Sequence, residues 1–321
     1  MTPETAPALA PEFAEMLAEE EAAAEDHPQL WDVPLAEARE FYRAMMTDGR
    51  TQAALAPVAE TVDGELPLPG GPRPTRLYRP LAPRGRTVVY FHGGGWVLGD
   101  LDTHDPVARV LCDELGAVVV AVDAPLAPET PFPGPVTAAK AAVTRVAAAR
   151  ADLGGPGSPL IVAGDSSGAN IAAAAVRHLA REEPGLVNAQ FLLYPATDLA
   201  GGHPDTLPYA TGHWLEAAHL RWFVRQYLPD PALASDPDAS PALAPGLDVL
   251  PPTALVTAQF DVLRGEGARY AEALREAGVR VRYRDVPGMI HGFFGFTGLV
   301  PAAREAARLG CADLAELLDT R

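Results

Sequence analysis

A serine flanked two residues away on each side by glycine can act as a nucleophile when it sits on a sharp turn, and Gly164-Asp165-Ser166-Ser167-Gly168 has that spacing. The pentapeptide follows an apolar run at 160–163 and precedes a helical stretch at 169–180, which makes it a strand-to-helix turn. Such a turn forces its central residue into strained geometry with the hydroxyl exposed, and the glycines avoid clashes there. A frame centred on Ser167 would need glycine at 165 and 169, where Asp165 and Ala169 stand, so Ser166 is the candidate nucleophile. Asp165 reads as a residue that fixes the turn. A helix starting here aims its first N–H groups at the site, favouring negative charge on a substrate oxygen.

A second run, His92-Gly93-Gly94-Gly95-Trp96, directly follows the strand-like residues 87–91. Consecutive glycines let the backbone approach a ligand and turn its N–H groups toward one oxygen. The candidate oxyanion hole is therefore Gly94, Gly95 and the N–H of Ser167, with Gly93 in the same set mainly shaping the loop. His92 belongs to the turn and is expected to make a structural hydrogen bond.

A serine nucleophile needs a base, and the base needs an orienting acid. Of the eight histidines, His178 sits mid-helix between arginines and reads as solvated, and His203, His213 and His219 fall in a long insertion. His27 is near the N-terminus, and His104 could line the pocket without a strand end to present it. His291 follows the strand-like 279–286 through Pro287-Gly288, which puts an imidazole on a loop at a strand end. Asp261 ends the run 253–260 and would emerge at the same edge of a sheet; Glu266 is the fallback acid. The candidate triad is Ser166, Asp261 and His291, in the chain order Ser, Asp, His. No cofactor and no metal are called for. The two cysteines, Cys112 and Cys311, have neither disulfide nor metal-ligand spacing and read as reduced core thiols in a cytoplasmic protein.

Bulk properties bound the partners. The formal net charge of −17 argues against nucleic acid and against an anionic membrane surface. The first thirty residues show no basic region followed by an apolar one, and the longest aliphatic patch, 171–176, is far shorter than the roughly 20 residues of a membrane span. The chain is long enough to bury a large core.

The elements needed to position these residues follow from the pattern. Residues 8–48 read as amphipathic acidic helices, followed by a Gly/Pro-rich bend at 67–74 and short strands at 75–78 and 87–91. Strands at 117–122, 160–163, 191–194, 253–257 and 279–286 then alternate with helices, which indicates an α/β fold with a mostly parallel sheet between helical layers. Between 198 and 252 no good strand occurs, and a helical stretch carries Trp214, Leu215, Trp222, Phe223 and Tyr227. An insertion of this length is expected to form its own cap element. Its aromatic residues, with Trp96, are the candidate substrate contacts.

Together these motifs resemble the bacterial hormone-sensitive-lipase-like carboxylesterases of the α/β-hydrolase superfamily. The resemblance covers residues 11–317 and adds Leu126-Ala127-Pro128-Glu129, Tyr194-Pro195, the stretch 261–267 and His291-Gly292-Phe293. It implies an α/β-hydrolase fold with an eight-stranded, mainly parallel sheet, a core of 51–199 and 241–321, and a cap from 1–50 and 200–240. It implies hydrolysis of small, short-acyl esters, and in many relatives a homodimer. Amidase, lactonase or acyltransferase chemistry would use the same triad; a non-catalytic receptor or a lyase on this fold is disfavoured by an intact triad. Two departures stand out: Ala124-Pro125 replaces the usual Tyr-Arg, which puts local packing in question, and Ser167 stands where alanine is common, which leaves the backbone N–H in place.

Overall fold

The computed structural model describes residues 8–23, 29–48, 50–51 and 54–320, so His27 lies outside the described residues. Its centre is an eight-stranded sheet in the order β1-β2-β4-β3-β5-β6-β7-β8. The strands are β1 (Glu60–Leu68), β2 (Gly71–Arg79), β3 (Arg86–Phe91), β4 (Ala117–Val122), β5 (Leu160–Asp165), β6 (Ala189–Leu193), β7 (Thr253–Phe260) and β8 (Val281–Ile290). All neighbours from β4 to β8 run parallel, whereas β2 is antiparallel to both β1 and β4.

The parallel strands are apolar on both faces because helices cover both. In β3, Val89 and Phe91 join one core while Val88 and Tyr90 join the other, following the two-residue alternation of a strand. The first core is closed by α4 (Gly134–Leu153), α5 (Ser167–Glu182) and α7 (Arg264–Glu276), and the second by α3 (Asp105–Leu115) and α8 (Pro301–Asp319). The aliphatic patch 171–176 lies in α5 and is entirely buried. Cys112 and Cys311 are both free and buried.

Two strand boundaries differ from the pattern. Residues 67–74 form the tip of a β1/β2 hairpin in which Pro67 faces Pro72, instead of a bend ahead of the first strand. Prolines fit there because β1 is the outer strand and β2 pairs with β4 only from Thr75 onward, so ladder N–H groups can be spared. Strand β8 likewise runs through Pro287 and Gly288 to Ile290, with a register irregularity against β7 between Ala258 and Phe260. His291 thus follows the strand directly. The outer position of β8 tolerates the proline in the same way.

The helical region 8–48 consists of α1 (Pro11–Ala23) and α2 (Leu35–Thr47). The interval 198–252 contains no strand; it holds α6 (Ala217–Tyr227) and short 3-10 turns at 231–235, 241–243 and 247–249. No helix among the described residues is long and apolar enough to cross a membrane.

Helix α1 docks through one aromatic side chain. Phe13 is fully buried with its ring edge-on to Phe296 at 5.6 Å, and the Ala10 N–H bonds the Gly288 carbonyl at 2.9 Å. Truncating a buried phenylalanine typically costs about 3 kcal/mol or more. Phe13→Ala should therefore release α1, and limited proteolysis should cut within 11–23 under conditions where the wild type stays intact; equal resistance would show that other contacts hold the helix.

Candidate active site

The site is built where β3, β5, β7 and β8 end. Ser166 joins β5 to α5 with φ 54° and ψ −121°, a strained conformation for a residue other than glycine. The flanking glycines are required by close approach: a Cβ on Gly164 would lie 2.4 Å from the Gly168 carbonyl oxygen, and one on Gly168 only 2.1 Å from that of Phe91. The first turn of α5 is thereby pressed against the end of β3. The Ser166 N–H bonds the Leu193 carbonyl at 2.8 Å, which fixes the turn to β6.

The three side chains singled out in the sequence meet here. His291 Nε2 lies 2.9 Å from Ser166 Oγ, and Nδ1 lies 2.8 Å from Asp261 Oδ2, with all three residues buried. The carboxylate makes Nδ1 the protonated nitrogen and leaves Nε2 to accept the serine proton. Asp261 Oδ1 accepts the Leu263 N–H at 2.8 Å, which holds the carboxylate still. Glu266 does not compete for this place. It accepts the N–H groups of Thr197 and Asp198 and pairs with buried His203 at 3.0 Å. Tyr194, noted in the sequence only within the Tyr194-Pro195 pair, has a backbone φ of 36°, and its ring meets the His291 ring edge-on at 4.8 Å.

Facing Ser166, Gly94 and Gly95 adopt φ 110° and 63°. Their N–H groups and that of Ser167 have no acceptor among the described residues, and all three residues line the cavity. Gly93, read mainly as shaping the loop, is not a third donor of that loop. Its N–H donates to Asp165 Oδ1 at 2.8 Å, so it anchors the loop and offers no hydrogen bond to a substrate oxygen.

The cavity has a volume of about 1170 Å³. Trp96, Trp214 and Phe223 line it, but Trp222 and Tyr227 do not. Successive helix residues point about 100° apart, so Phe223 on α6 faces the cavity while its neighbour Trp222 turns into the core. Tyr227, one turn beyond Phe223, stacks on the Trp96 ring at 4.6 Å instead. Much of the remaining wall comes from α1 and α2, including Met16, Tyr42, Met45 and Met46, which a motif search had no reason to select. His178 is likewise not simply solvated; its Nε2 lies 2.7 Å from Asp238.

A buried polar layer supports the glycine loop from below. Asp165 accepts the Tyr90 hydroxyl at 2.6 Å as well as the Gly93 N–H. His92 presents Nδ1 to the Gly93 carbonyl at 2.7 Å and Nε2 to Asp123 at 3.3 Å. Burial pulls its pKa down, but the hydrogen bond and charge of Asp123 outweigh this, and the net shift is upward. His104, with its ring 5.2 Å from that of His92, goes the other way. Burial first, opposed by the charge of Asp165, lowers it to about 4. The loop lacking the usual Tyr-Arg receives its cation from β2: Arg73 bonds the carbonyls of Asp123 and Ala124 and the Asp123 carboxylate.

Comparison with known proteins agrees with this architecture. The profile of the alpha/beta hydrolase fold matches residues 88–295. The chain belongs to the α/β-hydrolase family, in its bacterial hormone-sensitive-lipase-like branch. Carboxylesterase NlhH of Mycobacterium tuberculosis is 42% identical over 252 residues, covering 76% of this chain and 78% of that protein. An ethyl acetate hydrolase of Pseudomonas putida is 35% identical over 237 residues, covering 72% and 74%. Among solved structures, an ester hydrolase from the Lake Arreo metagenome, complexed with a derivative of bipyridine phosphonate, superposes with a TM-score of 0.89 at 34% identity, covering 97% of this chain and 100% of that one.

The low pKa of His104 has a consequence for stability. The folded state holds this imidazole neutral down to about pH 4, whereas the unfolded chain protonates it near 6.5, so its contribution is complete above that value and is lost as pH falls toward 4. The loss is on the order of 3 kcal/mol. Urea unfolding between pH 7 and 4 should show a smaller acid loss of stability in His104→Gln than in the wild type; parallel curves would refute the assignment.

Proposed function

We propose that this protein is a serine carboxylesterase acting on small, short-acyl esters through an acyl-enzyme intermediate. The observation that carries the reading is the unbroken chain Ser166 Oγ, His291 Nε2, His291 Nδ1, Asp261 Oδ2, with hydrogen-bond spacings of 2.9 and 2.8 Å, facing unoccupied backbone N–H groups. The names of its relatives, a carboxylesterase and an ethyl acetate hydrolase among them, support the same bond type.

In the first step Ser166 Oγ attacks the ester carbonyl carbon as its proton passes to His291 Nε2. The carbonyl oxygen becomes an oxyanion held by the N–H groups of Gly94, Gly95 and Ser167. Asp261 stabilises the imidazolium, which then gives its proton to the departing alcohol oxygen as the C–O bond breaks. Water, deprotonated by His291, repeats the sequence on the acyl-enzyme and releases the acid. No step calls for a cofactor. The N-terminal helices and the 200–240 segment act as the cap over the acyl and alcohol groups, with Trp96, Trp214 and Phe223 as apolar contacts.

An amidase, lactonase or acyltransferase would share these residues, but no feature of the site favours one of them over ester hydrolysis. The free, buried cysteines support a reducing compartment, and we place the protein in the cytoplasm. The position of β8 as an outer strand of the sheet supports a homodimer, which sedimentation would test.

Hydrolysis of a short-chain nitrophenyl ester should fall on the order of 10⁶-fold in kcat in Ser166→Ala. In Asp261→Asn, which disturbs the histidine tautomer, the fall should be on the order of 10⁴-fold. A Ser166→Ala protein with wild-type turnover would end the proposal.

A further inference from the structure

The residue following the proposed nucleophile offers more than its backbone. The Trp96 N–H donates to Ser167 Oγ at 3.1 Å, and both residues are buried. This bond joins the glycine loop after β3 to the first turn of α5, the two segments that carry the proposed oxyanion donors.

The Gly94 carbonyl is already held by the Val97 and Leu98 N–H groups at 3.1 and 2.8 Å, but the next peptide, between Gly95 and Trp96, needs a tie of its own. Gly94, Gly95 and Trp96 have successive positive φ values of 110°, 63° and 62°. For a bulky residue like tryptophan that is an unfavourable conformation, which persists only when its surroundings enforce it. Three contacts hold the far side of Trp96: its carbonyl accepts the Ala127 N–H at 2.8 Å, its indole N–H donates to Asn170 at 3.3 Å, and its ring stacks on Tyr227. Among the described residues only Ser167 Oγ holds its N–H, which belongs to the peptide shared with Gly95. Gly95 itself has no side chain to steady it, and the Phe223 ring occupies the space a Cβ would need, 2.2 Å away.

We propose that the Ser167 hydroxyl is a positioning group for the oxyanion hole. It clamps the Gly95–Trp96 peptide so that the N–H groups of Gly94 and Gly95 converge on the point faced by the N–H of Ser167. Alanine at this position would leave the Trp96 N–H buried without a partner and the Gly95–Trp96 peptide held only from its Trp96 side, next to a Gly94–Gly95 peptide whose carbonyl the Val97 and Leu98 N–H groups hold. A misaimed donor costs most where charge has developed, so the effect falls on the transition state and not on substrate binding. The inference rests on the reading of Ser166 as an acyl-transfer nucleophile.

Steady-state hydrolysis of a nitrophenyl acetate or butyrate by Ser167→Ala tests it. The expected kcat is about tenfold below wild type, less than the 10²-fold to 10³-fold typical of a lost donor, with KM within about twofold. Inhibition by an aryl trifluoromethyl ketone, which forms a tetrahedral oxyanion adduct on the serine, should weaken by a similar factor. Ser167→Cys, with a weaker acceptor of similar size, should fall between the two. If Ser167→Ala lowers the melting temperature while kcat and ketone affinity stay at wild-type values, the hydroxyl is only a packing element and the proposal is overturned. Fluorophosphonate labelling separates the two levels: a wild type that is not labelled at Ser166 overturns the nucleophile reading, whereas a labelled wild type with an unaffected Ser167→Ala overturns the clamp alone.

Discussion

The contact between Gly168 and the end of β3 is the constraint on which the whole site depends. With the Phe91 carbonyl oxygen 2.1 Å from where a Cβ would sit, no other residue allows the start of α5 to lie against that strand. That approach places the strained Ser166 turn beside the glycine loop, and it brings Ser167 Oγ within reach of the Trp96 N–H. A parallel sheet makes the arrangement possible, because its strands all deliver their carboxyl ends to one edge.

Beneath this contact, charge is distributed unevenly among buried groups. Asp165 binds the loop through Gly93 and the sheet through Tyr90, and so couples the Ser166 turn and the glycine loop from below. His92 and His104 lie close enough that protonation of one disfavours protonation of the other. Asp123 raises the proton affinity of His92, while burial lowers that of His104. The glycine loop therefore rests on a layer whose protonation pattern is set by position in the fold and not by residue type.

Above the site, the cavity wall is composite. Helices α1 and α2 contribute flexible methionines, and α6 contributes Phe223 to the cavity and Tyr227 to the Trp96 stack. One helix thus serves cavity wall and loop support with residues one turn apart. Arg39 of α2 adds a further tie, donating to the Val97 and Ala127 carbonyls just behind the glycine loop.

Local sequence was enough to specify the α/β class, the Ser166 turn, the glycine loop and the order of Ser166, Asp261 and His291, because each has a short-range signature: glycine spacing, an apolar run, a residue at a strand end. Residues 75–78 of β2 were legible as a strand, but β1 and the hairpin turn were not, since an exposed outer strand carries no apolar alternation and the prolines at its tip read as a bend. The passage of β8 through Pro287 was hidden for the same reason. Tertiary structure alone decided that Gly93 serves Asp165, that Trp222 and Tyr227 turn from the cavity, and that Glu266 belongs to His203. For Gly93, Glu266 and Tyr227 these outcomes depend on partners 63 or more residues away along the chain, and no local pattern encodes which distant group a buried donor, ring or carboxylate will meet.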